Sequence, residues 1–253
     1  MFSFGFALFS WANNRDIETG PTGAASSARI ETFTFSSNGG TKRGKIYLPN
    51  SYEINKNLPA IYLIDFTEQH FKLATDEFEK VIDGVRQVEG IDALVVSLEN
   101  IPDVDAEPEM FQDHYEIFKN MASYVDSIYT RNPSRTFIGR GSESGLVLMA
   151  LFLSDAQNPV FENYIVTDPS PHYASAIIKI IETESFPQNK LKHKLHFSFS
   201  TSNDRVKCTK LIDLINEAQY PWLQFESIEY TNSDYENTYP IAYAAGIKYI
   251  FNE

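Results

Sequence analysis

The feature that most limits what this chain can fold into is a series of short, almost unbroken apolar runs. LPAIYLIDF at 58–66, IDALVVSLE at 91–99, RTFIG at 135–139, NYIVTD at 163–168 and KLHFSFS at 194–200 all read this way. A strand with one wet face alternates, whereas a strand covered on both faces does not. The runs therefore predict a parallel sheet with helices on either side. Between them the apolar residues move to helical spacing. Phe71, Ala74, Phe78, Val81, Ile82 and Val85 form one stripe, and Phe118, Met121, Ala122, Val125 and Ile128 another. Further stripes begin at Leu148, at Ala176 and at Leu211, and Ala242, Ala245, Tyr249 and Ile250 close the chain. Upstream, RIETFTFSS at 29–37 alternates, Asn38-Gly39-Gly40 makes a turn, and RGKIYLP forms a second strand. A hairpin followed by alternating strands and helices predicts a mostly parallel, doubly wound α/β sheet with an antiparallel hairpin at its start.

At 253 residues, 43% hydrophobic, the chain can bury one sizeable core. No linker divides its middle, so residues 29–253 are expected to be a single domain. Residues 1–28 stand apart. DIETGPTGAASSA at 16–28 is small and polar, and the apolar start MFSFGFALFSWANN lacks a basic segment although Ser10-Trp11-Ala12 has a cleavage-like spacing. That leaves both a cytoplasmic and a secreted location open. No run reaches transmembrane length. The net charge of −13 repels phosphate backbones, so nucleic acid is not an expected partner. A single cysteine, Cys208, excludes an internal disulfide, and the sequence has no CxxC and no zinc-type Cys/His cluster. The four carboxylates of DVDAEPE at 103–109 lack the spacing of a calcium loop. No metal and no cofactor is implied.

In doubly wound sheets, sites form beyond the carboxyl ends of the strands. Here those ends are Asp65-Phe66, Glu99-Asn100, Gly139 to Ser144, Asp168 to His172 and Thr201 to Asp204. The most suggestive is FIGRGSESGL at 137–146, a strand entering a glycine-rich turn and then a helix. That is the setting of a nucleophile elbow, G-x-S-x-G, but neither serine has glycines at the required spacing.

Six segments, in order, resemble the esterase D-like and enterochelin-esterase-like family of α/β-hydrolases. GKIYLPNSY is similar to its early strand, LPAIYLIDFTEQHF to its "YLLDG…F", and ALVVSLEN to its "VVGIEN". RTFIG enters the elbow, VFENYIVTDPSPHY is similar to "lFnnYiaisPSlww", and YENTYPIAYAAGIKYIF to "dHgSvPlpalydGLkylF". The resemblance implies an α/β-hydrolase fold from about residue 29 onward and a serine, histidine and acid triad.

The residues needed for that chemistry depart from the pattern. Without a gap, the family's "GHSxGG" falls on Gly139 to Ser144 and puts Gly141 in the nucleophile's place. A shift of one residue puts Ser142 there, flanked by Arg140 where the turn needs a small residue. Ser142 also suits the start of a helix. The family's histidine position falls on Glu236, next to Tyr235, and no histidine follows His196. A carboxylate is a far weaker base toward a serine proton than an imidazole. Asp204 stands at the family's acid position and also suits a helix cap. Phe66 replaces the glycine near the oxyanion hole. His70 and His172 lie on carboxyl-edge loops, and Phe66, Phe71, Tyr173, Tyr235 and Tyr239 are candidates to line a cleft there.

Three functions are consistent with this pattern. The first is an esterase-like domain with an impaired triad at Ser142, Asp204 and Glu236, holding a small ester-like or other small molecule through Phe66, His172 and Tyr235. The second is an active carboxylic-ester hydrolase using Ser142 with Glu236 or a displaced histidine as base. The third is a protein-interaction module whose partner the sequence does not name.

Overall fold

In the computed structural model, residues 27–65, 77–99, 111–187 and 190–252 are described. Residues 1–26, 66–76, 100–110, 188–189 and 253, and with them Phe66, His70, Phe71 and DVDAEPE, lie outside the described residues.

The hairpin forms as its alternation requires, with β1 (Arg29–Ser37) paired antiparallel to β2 (Gly40–Leu48). The chain then winds through β3 (Ala60–Asp65), α1 (Glu77–Gln87), β4 (Leu94–Glu99), α2 (Phe111–Ile128) and β5 (Arg135–Arg140). It continues with α3 (Ser142–Leu153), β6 (Asn163–Thr167), α4 (Pro171–Thr183), β7 (His193–Ser200), α5 (Arg205–Ala218), β8 (Leu223–Tyr230) and α6 (Tyr235–Phe251). The strands lie in the order β1-β2-β4-β3-β5-β6-β7-β8. β2 joins β4 antiparallel, and every pairing from β4 to β8 is parallel.

Alternate residues of each central strand feed opposite faces, which is why the runs read as unbroken. Tyr62, Phe137, Tyr164 and Val166 point into the larger core with Phe118, Phe161 and α3. Ile61, Leu63, Ile138 and Ile165 point to the other face, where Phe78, Val81 and Ile82 of α1 meet Tyr239, Tyr243 and Ile247 of α6. α3 is buried from Ser144 to Phe152, so it runs through the middle of its layer. Among the described residues no helix is long and apolar enough to cross a membrane.

The periodicity gives no strand over 223–230, yet β8 is there. LQFESIEY has β7 as its neighbour and half-exposed side chains along its length, so neither face leaves an apolar signature.

Candidate functional site

The turn between β5 and α3 is the centre of the candidate site. Arg140 ends the strand, Gly141 forms the apex and Ser142 opens the helix. Gly141 has φ 57° and ψ −117°, a conformation that residues with a Cβ rarely adopt. Its N–H lies 3.2 Å from the carbonyls of both Thr167 and Asp168, and its carbonyl accepts from the Ser170 N–H at 3.0 Å. The apex is thus stitched to the end of β6.

The two serines have separate surroundings. The Ser144 hydroxyl is buried and donates toward the carbonyls of Gly139 (2.8 Å) and Thr167 (2.9 Å), which ties the first turn of α3 to the ends of β5 and β6. Ser142 faces solvent at the helix start. The helix cap is Gly141, one residue earlier than the Ser142 cap that the sequence suggested, and it offers no side-chain bond.

What stands over the apex is Tyr235, the first residue of α6. A Cβ added to Gly141 would lie 2.6 Å from the Tyr235 hydroxyl oxygen and 3.9 Å from Glu143 Oε2. The first distance is well inside van der Waals contact. The phenol oxygen therefore occupies the space into which any side chain at position 141 would extend.

Tyr235 is held by Arg140. The guanidinium carbon lies 4.5 Å from the centre of the Tyr235 ring and 4.1 Å from that of Tyr239. The stacking is of the cation–π kind. Arg140 Nε donates to Glu77 Oε1 at 2.8 Å, and one terminal nitrogen lies 3.6 Å from Glu236 Oε2. The Tyr243 hydroxyl donates to the second Glu77 oxygen at 3.3 Å. Residues 235, 239 and 243 share one face of α6 at intervals of four. The side chain that the elbow pattern has no room for is thus accommodated, buried between α1, β5 and α6.

Burial and neighbouring charge set the protonation of this group. Burial is the largest single influence on Arg140 and lowers its pKa, but the Glu77 carboxylate together with Tyr235 and Tyr243 raises it by more, so the cation is permanent. Burial pushes the Tyr235 phenol up, and it stays protonated. Burial also raises the Glu143 carboxyl well above its usual range, and the nearby Glu77 charge adds to this.

The remaining sequence candidates are dispersed. Asp204 caps α5, its carboxylate accepting from the Lys207 N–H at 3.1 Å. Glu236 is exposed and directed toward Arg140. His172 is exposed in the first turn of α4, its ring 5.5 Å from that of Tyr173. Tyr173 is buried against Gly145 of α3 and fills core, as Tyr239 does beside Arg140. On β7, the His193 Nδ1–H donates to the Glu162 carbonyl at 3.2 Å. Buried His196 lies 3.6 Å from Glu226 on β8. Among the described residues no group of three or more His, Cys, Asp or Glu is placed to hold a metal ion.

One acid that the sequence marks only as a strand end was given no role there. Asp168, at the end of β6, is buried and has φ 46°. Its Oδ1 accepts from the Ser200 N–H (2.6 Å), the Ser200 hydroxyl (2.9 Å) and Asn203 (3.2 Å). Burial raises its pKa, and these bonds oppose the shift. Its signal was its position, since it follows a buried strand and precedes a proline.

No family model matches the sequence, and no curated protein does either. Solved structures do. An IroE-like serine hydrolase from Shewanella oneidensis superposes with a TM-score of 0.69 at 15% identity, over 88% of this chain and 80% of that one. The siderophore hydrolase EstA from Aspergillus nidulans gives 0.59 at 16% identity, over 96% and 98%. The fluorophosphonate-binding serine hydrolase FphF from Staphylococcus aureus gives 0.60 at 13% identity, over 90% and 100%. With the sheet order, the helices on both faces and the strand–turn–helix junction, these likenesses establish that the chain has the α/β-hydrolase fold.

Proposed function

We propose that this chain is an esterase-type α/β-hydrolase domain that no longer carries out acyl transfer, and that its role is to bind a small ester-like or other small molecule without turning it over. The observation that carries this reading is the elbow apex. Acyl transfer needs an oxygen or sulfur nucleophile at that apex, beside a base. Position 141 is glycine, and the hydroxyl of Tyr235 fills the adjoining space. The phenol is a poor substitute nucleophile, since burial keeps its proton on. Glu236, at the position where the family resemblance expects histidine, is oriented toward a permanent cation. Asp204 serves a helix end, and Ser144 is engaged with two carbonyls.

The test is hydrolysis of p-nitrophenyl acetate and butyrate, together with labelling by a fluorophosphonate probe. Wild-type protein is expected to match a Ser142→Ala variant in rate, with neither protein labelled. Turnover or labelling that disappears in Ser142→Ala would establish the active-hydrolase alternative instead.

A further inference from the structure

We infer that Tyr235 is a built-in plug of the elbow, and that glycine at 141 and the hydroxyl at 235 form a mutually exclusive pair. This rests on the reading of a silent elbow and explains what keeps it closed. Two different physical causes bear on position 141. One is backbone conformation, since a positive φ disfavours any residue with a Cβ. The other is space, since the added carbon would sit 2.6 Å from the phenol oxygen. The first cause belongs to the turn and would persist whatever α6 carried. The second depends on one oxygen atom of one side chain.

The surroundings make the plug stiff. The ring stacks on Arg140, which in turn is held by Glu77 of α1. The start of α6 is fixed as well. Asp234 caps it, its carboxylate accepting from the Asn237 N–H at 2.9 Å, and the Thr238 hydroxyl donates to the Asp234 carbonyl at 2.6 Å. Tyr239 and Tyr243 anchor the next two turns against Arg140 and Glu77. The phenol oxygen thus stands where a nucleophilic side chain at the apex would have to be.

The pair can be tested with a double-mutant cycle that isolates the oxygen. Gly141→Ala adds only a Cβ, and Tyr235→Phe removes only the hydroxyl while leaving the ring on Arg140. Thermal unfolding is measured for wild type, both single variants and the double variant. Gly141→Ala is expected to lower Tm by several degrees. In the Tyr235→Phe background the same substitution is expected to cost about half as much, the remainder being the backbone term. Equal losses in the two backgrounds would overturn the plug. If Gly141→Ala yields soluble protein only with Phe at 235, the plug is supported. If it fails in both backgrounds, the hydroxyl is not the obstacle and the plug is overturned. Fluorophosphonate labelling of the wild type separates the two claims. Labelled wild-type protein sinks the silent-elbow reading, whereas an unlabelled wild type with an additive cycle sinks only the plug.

Discussion

The two ends of α3 carry the same kind of problem and solve it differently. At its N-terminal end Arg140 is buried, and at its C-terminal end Lys190 is equally buried. Arg140 has a carboxylate at 2.8 Å and two aromatic faces. Lys190 donates to the Leu151 carbonyl in the last turn of α3 and lies 4.9 Å from the centre of the Trp222 ring. Its charge favours the helix C-terminus but has no counter-ion in these contacts. The consequence appears in their acidity. Glu77 and the neighbouring tyrosines together outweigh burial and raise Arg140, while burial lowers Lys190 to about 8. One cation joins three elements permanently, whereas the other is a cap held against the cost of its own desolvation. The permanent one stands at the strand–turn–helix junction, where it joins α1, β5 and α6.

This contrast predicts its largest effect at Arg140. Arg140→Leu leaves Glu77 facing the interior without its cation and is expected to cost about 3–5 kcal/mol, the usual range for breaking one side of a buried pair. Lys190→Met loses a hydrogen bond but also removes a buried charge, so at pH 7 its stability is expected to stay within about 1 kcal/mol of wild type. Urea unfolding of the two variants measures both. Equal losses would mean that the two cations are held alike after all.

The pH dependence of the Lys190 end sharpens the comparison. A lysine whose pKa falls from 10.5 to about 8 on folding binds fewer protons in the native state between those values. Wild-type stability should therefore rise from pH 8 to 10.5, by at most about 3 kcal/mol, and Lys190→Met should lack this rise. His193 is lowered to about 4 by burial first and then by the Lys190 charge. The same reasoning makes the native state lose stability as pH falls from 6.5 toward 4. Removing the lysine charge should move the His193 titration upward and shrink that loss, which NMR of the imidazole reads directly. Buried His196, also lowered to about 4, contributes with the same sign, and the raised carboxyls of Asp168 and Glu143 contribute with the opposite one. The informative quantity is thus the difference between wild type and variant at each pH.

The sheet was legible in the sequence because burial on both faces writes itself as unbroken apolar runs, and β3 to β7 all carry that mark. β8 was not, because half-exposed edge residues such as Glu226 and Glu229 carry no periodicity. The elbow was legible as a strand, turn and helix, but its apex was left between Gly141 and Ser142. One residue of register is a backbone-angle question, and composition does not encode a φ of 57°. The Arg140 cluster was the least legible part. Arg140, Glu77 and Tyr243 are far apart in the chain and become neighbours only when α1 and α6 pack on the same face of the sheet. Tyr235, Tyr239 and Tyr243 lie four residues apart, but such spacing in a sequence says core before it says guanidinium clamp.

The smallest predicted effect lies at another helix start. α3 begins at a glycine that makes no side-chain cap bond, whereas α5 begins at Asp204, whose carboxylate accepts from the Lys207 N–H. If that cap is the whole role of Asp204, Asp204→Ala should cost about 1 kcal/mol and Asp204→Asn much less, because an asparagine oxygen caps almost as well. A residue that orients an imidazole behaves differently. There the amide fails like the methyl, since it brings no charge to stabilise an imidazolium. Chemical denaturation of the two variants, beside their p-nitrophenyl butyrate rates, separates the roles. A graded stability loss with unchanged background hydrolysis fits a cap, and equal loss of a measurable hydrolysis rate in both would return Asp204 to a catalytic set.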